Sequence, residues 1–188
     1  MFCNLRGYTA FTETAEPEEV LDFLHEYHGA LGSLVSQYEG TLDQFSGDGI
    51  MILCRSRTRP RAVNMAVAMR EAAATLIADW RERGRDLGFG VGIAQGYATL
   101  GQIGFSERSG YTAIGTVCNV ATRLCAEAKD RQILLIQRVN VALKASVATE
   151  QLGSLASRAS PSRYWPTTCR SRPPSRLSVI IEGGSRSV

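Results

Sequence analysis

Lysine is nearly absent from this chain of 188 residues. Only Lys129 and Lys144 occur, against nineteen arginines. Histidine is as scarce. With His25 and His28 alone, a histidine-rich metal site is excluded. The five cysteines (Cys3, Cys54, Cys118, Cys125 and Cys169) show no CxxC spacing and no even framework. That excludes a zinc ribbon or a disulfide scaffold and predicts free thiols in a reducing cytoplasm. No run of about 18 apolar residues is present, so no membrane span is expected. The opening Met1-Phe2-Cys3-Asn4-Leu5 lacks the basic start and apolar stretch of a signal peptide.

What remains is a composition of 44% hydrophobic and 21% charged residues, which suits one globular core. The net charge of +3 misleads. Residues 154–188 hold six arginines and one acid, a balance of +5, so the body before them stands at −2. The positive charge lies in one unusual segment, and nucleic acid is not expected as a partner.

The periodicities predict the elements. Residues 1–5 read as the end of a buried strand, with the chain starting inside it, and Gly7 and Thr9 as breakers. A helix follows, with Thr14 as a cap and Pro17 in its first turn. Its apolar face is Val20, Leu24, Tyr27, Leu31, Leu34 and Tyr38. Strands near 41–45 and 49–54 join at Ser46-Gly47-Asp48-Gly49, a hairpin with an aspartate at its tip. A second helix spans about 61–83, with Met65, Met69, Ala72, Leu76 and Trp80 inward. Residues 89–96 alternate Phe89, Val91 and Ile93 with Gly90, Gly92 and Ala94, so the strand has one bulky face and one nearly bare face. Something must pack closely on the bare side. A strand at 98–103, a loop, a helix at 116–128, a strand at 132–136 and a short helix at 137–145 complete the set. The order βαββαββαβα predicts an α+β fold with helices on one face of a mostly antiparallel sheet. Residues 1–153 form one expected domain. Residues 154–188, dominated by serine, arginine and proline, are expected to be a disordered tail that supplies no strand, although Leu177–Ile181 keeps some periodicity.

Two groups of residues bear chemistry. Asp48 on the hairpin tip is either a turn aspartate or a metal carboxylate. The end of the first strand, with Gly7, Tyr8 and Thr9 after it, offers backbone amides to a phosphate. Asn119 and Arg123 lie four apart and share one helix face, either as a solvated pair or as an amide and a cation aimed at a charged ligand.

Four motifs tie these groups together. Phe2-Cys3-Asn4-Leu5-Arg6-Gly7-Tyr8-Thr9 resembles the FxDxxGxT opening of the class III nucleotidyl cyclase catalytic domain. Asp43-Gln44-Phe45-Ser46-Gly47-Asp48 resembles its DKFxGD hairpin, and Val91-Gly92-Ile93-Ala94-Gln95-Gly96 its VGIHTG strand. The stretch from Tyr111 to Leu124 resembles YTxIGDTVNLAARL. The resemblance covers residues 1 to about 153 and implies the ferredoxin-like βαββαβ cyclase fold.

The resemblance implies conversion of ATP, or less readily GTP, to the 3′,5′-cyclic nucleotide and pyrophosphate in intracellular signalling. It implies two Mg²⁺ or Mn²⁺ ions and a head-to-tail homodimer whose two sites lie between the chains. Asp48 and the backbone carbonyl of Leu5 match metal-binding positions. Gly7, Tyr8 and Thr9 match the phosphate loop. Asn119 matches the ribose-orienting residue and Arg123 the transition-state cation. Gln44 and Thr112 match the pair that reads the purine, and a threonine there resembles a bacterial adenylate cyclase subclass. The sequence departs from the pattern at three places. Asn4 stands where the first metal aspartate is usual, Gln44 replaces the purine-selecting lysine, and no lysine follows Lys144. A second reading keeps the fold without turnover, as a dimerising or nucleotide-binding module. Finally, one codon string permitted by residues 155–169 reads, after dropping its first two bases, GLKGFPVAVLAYNV, which resembles the missing family ending.

Overall fold

The computed structural model describes residues 1–55, 59–105, 107–143, 148–151, 164–165 and 176–182. Its elements run β1 (Phe2–Arg6), α1 (Tyr8–Thr14), α2 (Pro17–Gln37), β2 (Thr41–Ser46), β3 (Gly49–Leu53), α3 (Arg59–Glu82), β4 (Gly88–Ile93), β5 (Thr99–Phe105), β6 (Arg108–Ile114), α4 (Thr116–Glu127), β7 (Gln132–Ile136), α5 (Gln137–Ala142), β8 (Ala148–Gln151), β9 (Tyr164–Trp165) and β10 (Arg176–Glu182). The main sheet has the order β2-β3-β1-β4-β7-β10-β8, with β9 beside β10. Strands β5 and β6 form a separate two-stranded sheet. Antiparallel pairs outnumber the parallel ones, β4 with β7 and β10 with β7 and β8. The α+β class expected from the sequence is the architecture found.

The core forms where the bulky face of β4 meets α2 and α3. Phe23, Tyr27 and Leu31 of α2 are fully buried, as are Met65, Met69 and Trp80 of α3 and Phe89 and Val91 of β4. Trp80 packs edge-on against Phe23, with ring centroids 5.1 Å apart, and Tyr27 meets Phe89 at 6.3 Å. The inward stripe of α2 is Phe23, Tyr27, Leu31 and Val35, turned slightly from the expected one, so that Val20, Leu24 and Leu34 pack at its margin.

The bare face of β4 accounts for a correction. Helices cover both sides of the sheet, not one. A side-chain carbon on Gly92 would lie 2.2 Å from the Ala121 carbonyl oxygen and 2.3 Å from the Cys125 nitrogen, so the α4 backbone lies directly on β4. Only a residue without a side chain permits that approach.

Gly7 breaks the first strand as expected, since β1 ends at Arg6, but at φ 75° it also turns the chain left-handed and starts α1 at Tyr8, a helix not expected there that takes in Thr9. Other expectations fail. Thr14 closes α1 instead of capping α2, its hydroxyl bonding back to the Ala10 carbonyl at 3.0 Å. The loop expected before α4 is the strand β6, paired along its length with β5. The segment expected to give no strand supplies β9 and β10, and β10 pairs in parallel with β7 through Ser178, Val179 and Ile180. The apolar alternation at Leu177, Val179 and Ile181 is local β-forming pattern that outweighs the composition of its surroundings. The rest of that segment, and Lys144, lie outside the described residues. Among the described residues no helix is long and apolar enough to cross a membrane.

Candidate active site

The β2–β3 hairpin brings Asp48 against the end of β1. Its carboxylate is half-buried there, where the backbone N–H groups of Leu5 and of Asp48 itself favour its charged form. A side-chain carbon on Gly49, the next residue, would lie 3.0 Å from Asn4 Oδ1. The hairpin is braced by Phe45, whose ring packs on His28 of α2 at 4.4 Å between centroids. Burial pushes the Asp48 carboxyl above its ordinary range, against the lowering effect of the two N–H donors and the Arg6 cation. Tyr8, in the first turn of α1, feels the Asp48 charge, and burial and that charge together raise its phenol. Gly7 has no room for a side chain, since a carbon there would meet the Asp86 carbonyl oxygen at 2.2 Å. Gly7, Tyr8 and Thr9 thus hold the start of a helix, where N–H groups lack intrahelical acceptors.

The structure therefore gathers Asn4, Leu5, Gly7, Tyr8, Thr9 and Asp48 at one end of the sheet. The groups here that could hold a metal are all hard oxygens: the Asp48 carboxylate, Asn4 Oδ1 and the Leu5 carbonyl. Such oxygens suit Mg²⁺ or Mn²⁺. They carry one negative charge, and the Leu5 carbonyl already accepts from Arg6 at 3.1 Å and from Asn4 Nδ2 at 3.4 Å. Among the described residues no three His, Cys, Asp or Glu side chains converge on one point. The residues fit a divalent ion held by one carboxylate with neutral oxygens beside it.

Asn119 and Arg123 lie on the exposed face of α4, while Ala121, Leu124 and Cys125 are buried on its other face. Gln44 is exposed on β2, and Thr112 is half-buried on β6. A third residue joins these last two. Asp43, next to Gln44, accepts the Thr112 hydroxyl at 2.5 Å and the Ala113 N–H at 3.0 Å. A largely apolar cavity of about 520 Å³ lies beside it, lined by Leu42, Asp43, Ile93, Ala113, Cys118 and Ala121 among others. Gln44, Thr112, Asn4 and Asp48 do not line it. Burial raises the Cys118 and Cys54 thiols and pushes Cys125 up to about 11, which favours the protonated thiol in all three at neutral pH.

Sequence reasoning gave no role to Arg6 or Asp43. Arg6 crosses Gly90 to the carboxyl end of α4, where Nε bonds the Ala128 carbonyl at 2.7 Å and the guanidinium also meets the Cys125 carbonyl. A cation there caps orphan carbonyls and opposes the helix dipole. The signal was a bulky cation on the strand adjacent to a row of glycines. Asp43 was signalled only by its place beside Gln44.

Residues 1–165 match the model of the adenylate and guanylate cyclase catalytic domain family. An adenylate cyclase of Anabaena cylindrica is 32% identical over 129 residues, which is 66% of this chain and 26% of that protein. Adenylate cyclase 1 of Rhizobium meliloti is 32% identical over 136 residues, covering 69% of this chain and 20% of that protein. The chain thus spans about a quarter or less of the length of these relatives. Among solved structures, the adenylyl cyclase CyaB of P. aeruginosa superposes with a TM-score of 0.83 at 28% identity, covering 92% of this chain and 93% of that one. The guanylyl cyclase Cya2 superposes at 0.82 with 26% identity, covering 94% and 93%.

Proposed function

Because the chain belongs to the adenylate and guanylate cyclase catalytic domain family, we propose that it cyclises ATP to the 3′,5′-cyclic nucleotide and pyrophosphate as a head-to-tail homodimer. The observation that carries this reading is the seat of Asp48, half-buried on the hairpin whose Gly49 abuts Asn4 of β1, with Tyr8 in the first turn of α1 close enough to feel its charge. A carboxylate and free helix-start amides in one place suit a metal-bound triphosphate.

Each residue has a share. The amides of Gly7, Tyr8 and Thr9 bind phosphate oxygens. Asp48, Asn4 and the Leu5 carbonyl would hold the divalent ions, which when bound supply charge neutralisation to the triphosphate. Asn119 of one protomer orients the ribose so that its 3′-oxygen lies in line with the α-phosphorus. The 3′-oxygen–phosphorus bond forms, the bond to the β-phosphate oxygen breaks, and the hydroxyl proton leaves to solvent. Arg123 neutralises charge that grows on the phosphoryl oxygens, for which its planar fork is suited. Gln44 and Thr112 read the purine. The exposed apolar residues of the β5–β6 sheet, among them Leu100, Phe105, Tyr111 and Ile114, support pairing with a second chain.

Complementation tests the shared site. Asp48→Ala and Arg123→Ala chains should each be inactive, and their mixture should recover up to about a quarter of parental activity if chains pair at random. No gain on mixing would overturn the head-to-tail reading. Asn4 favours a second reading, a nucleotide-binding module without turnover, because an amide brings no charge to the metal. Nucleotide-dependent stabilisation with no cyclic product from the parent chain would establish it.

A further inference from the structure

We infer that Asp43 sets the purine preference of the site by fixing the hydroxyl of Thr112 as a hydrogen-bond acceptor; this rests on the nucleotide-binding reading above. The register of β2 against β3 shifts between Leu42, opposite Ile52, and Gln44, opposite Met51. Asp43 is the extra residue of that bulge. Bulges turn a side chain away from the alternation of the strand, and here the turned side chain reaches β6. Both of its oxygens are committed, one to the Thr112 hydroxyl and one to the Ala113 N–H.

The consequence is a matter of proton count. A carboxylate only accepts, so the 2.5 Å contact takes the one hydrogen that Thr112 Oγ1 owns. The lone pairs left on that oxygen can only accept. Adenine presents a donating amino group at its 6-position, and guanine presents an accepting carbonyl oxygen there. Thr112 held in this way suits the first and opposes the second with lone pair against lone pair. Gln44 cannot make the choice alone, since its amide both donates and accepts and can rotate to suit either base. Asp43 is thus a positioning residue that acts through Thr112. The same contacts also tie the β5–β6 sheet to the main sheet, so the test must separate preference from stability.

The test is equilibrium calorimetry of the full chain with 3′-deoxy-ATP and 3′-deoxy-GTP in the presence of Mn²⁺. Neither nucleotide can cyclise, so turnover is not required. The unaltered chain should prefer the adenine nucleotide by about tenfold or more, as one satisfied against one opposed hydrogen bond implies. Thr112→Ser should keep that ratio. Thr112→Val should bring it within about threefold of unity. Asp43→Asn should do the same, because an amide N–H facing Oγ1 releases the threonine hydrogen toward the base. If Asp43→Asn does not fold, the Thr112→Ser and Thr112→Val pair decides. An unchanged ratio in Thr112→Val and Asp43→Asn, or a guanine preference in the unaltered chain, overturns the inference while leaving a nucleotide site in place. Binding of neither nucleotide to the unaltered chain overturns the nucleotide-binding reading itself, and the inference with it.

Discussion

Arg6 and Ala128 are joined by a 2.7 Å hydrogen bond from the Arg6 Nε to the Ala128 carbonyl, which fastens β1 to the carboxyl end of α4. One end of this link carries Asn4 and Leu5, and the other end belongs to the helix of Asn119 and Arg123. The bond passes over Gly90, and α4 rests on Gly92 one alternation further along β4.

Gly92→Ala should therefore be far more harmful than its size suggests. The new carbon would press on the backbone of α4 at Ala121 and Cys125, and backbone cannot swing aside as a side chain can. A loss of about 1–3 kcal/mol is expected, as for other overpacked contacts, with a fall of several degrees in Tm. Gly101→Ala on β5, where nothing lies within 4 Å, serves as the control. Thermal melts of the two variants check this, and equal Tm values would mean that α4 does not sit on β4 as described.

Asp48 should cost stability when it is charged and metal-free. Burial raises its carboxyl above the value it has in the unfolded chain. Between those two values the folded state holds more protons than the unfolded one, so stability falls as pH rises through that window. Asp48→Asn should consequently melt higher than the parent at neutral pH. The gap should close in acid, below the unfolded value near 3.8. Mn²⁺ should stabilise the parent and leave the variant unmoved. Melting curves across pH, with and without Mn²⁺, measure both effects.

Asn4→Asp should strengthen the metal site. A second carboxylate beside Asp48 adds a full charge against a divalent ion in a partly dehydrated setting. Activity should rise by about tenfold or more, the equivalent of 1.4 kcal/mol in the barrier, and half-saturation should move to lower Mg²⁺ or Mn²⁺. Without metal the two like charges should lower the Tm. Unchanged activity and an unchanged metal response would show that position 4 is not a ligand.

The codons for residues 155–169 should read GLKGFPVAVLAYNV, or a close variant, when their first two bases are dropped. Sequencing the gene decides this. If neither shifted frame contains an LKG-like stretch near residue 157, the unusual composition after residue 154 has another origin.

How much was legible in advance divides along a physical line. Helices α2, α3 and α4 follow from apolar spacing, because a helix buries whatever recurs every three or four residues. The bare face of β4 likewise announced a close neighbour, since only glycine admits one. Asp48 on a two-strand hairpin was readable from turn chemistry together with the motif. The helix α1 was not, because Gly7 reads as a breaker until its left-handed φ of 75° is seen to begin a helix. Strand β6 was missed because it pairs only with β5 as a strand, and its residues carry no strong apolar alternation. Strand β10 was missed because segment composition outweighed a short local pattern. From the sequence came the identity and order of the chemical groups. Which carbonyls Arg6 would cap, and which hydroxyl Asp43 would orient, depended on a crossing over Gly90 and a bulge at Asp43. Both join residues about 70 or more positions apart, and local periodicity carries no information about such distant contacts, because it records only what each segment buries.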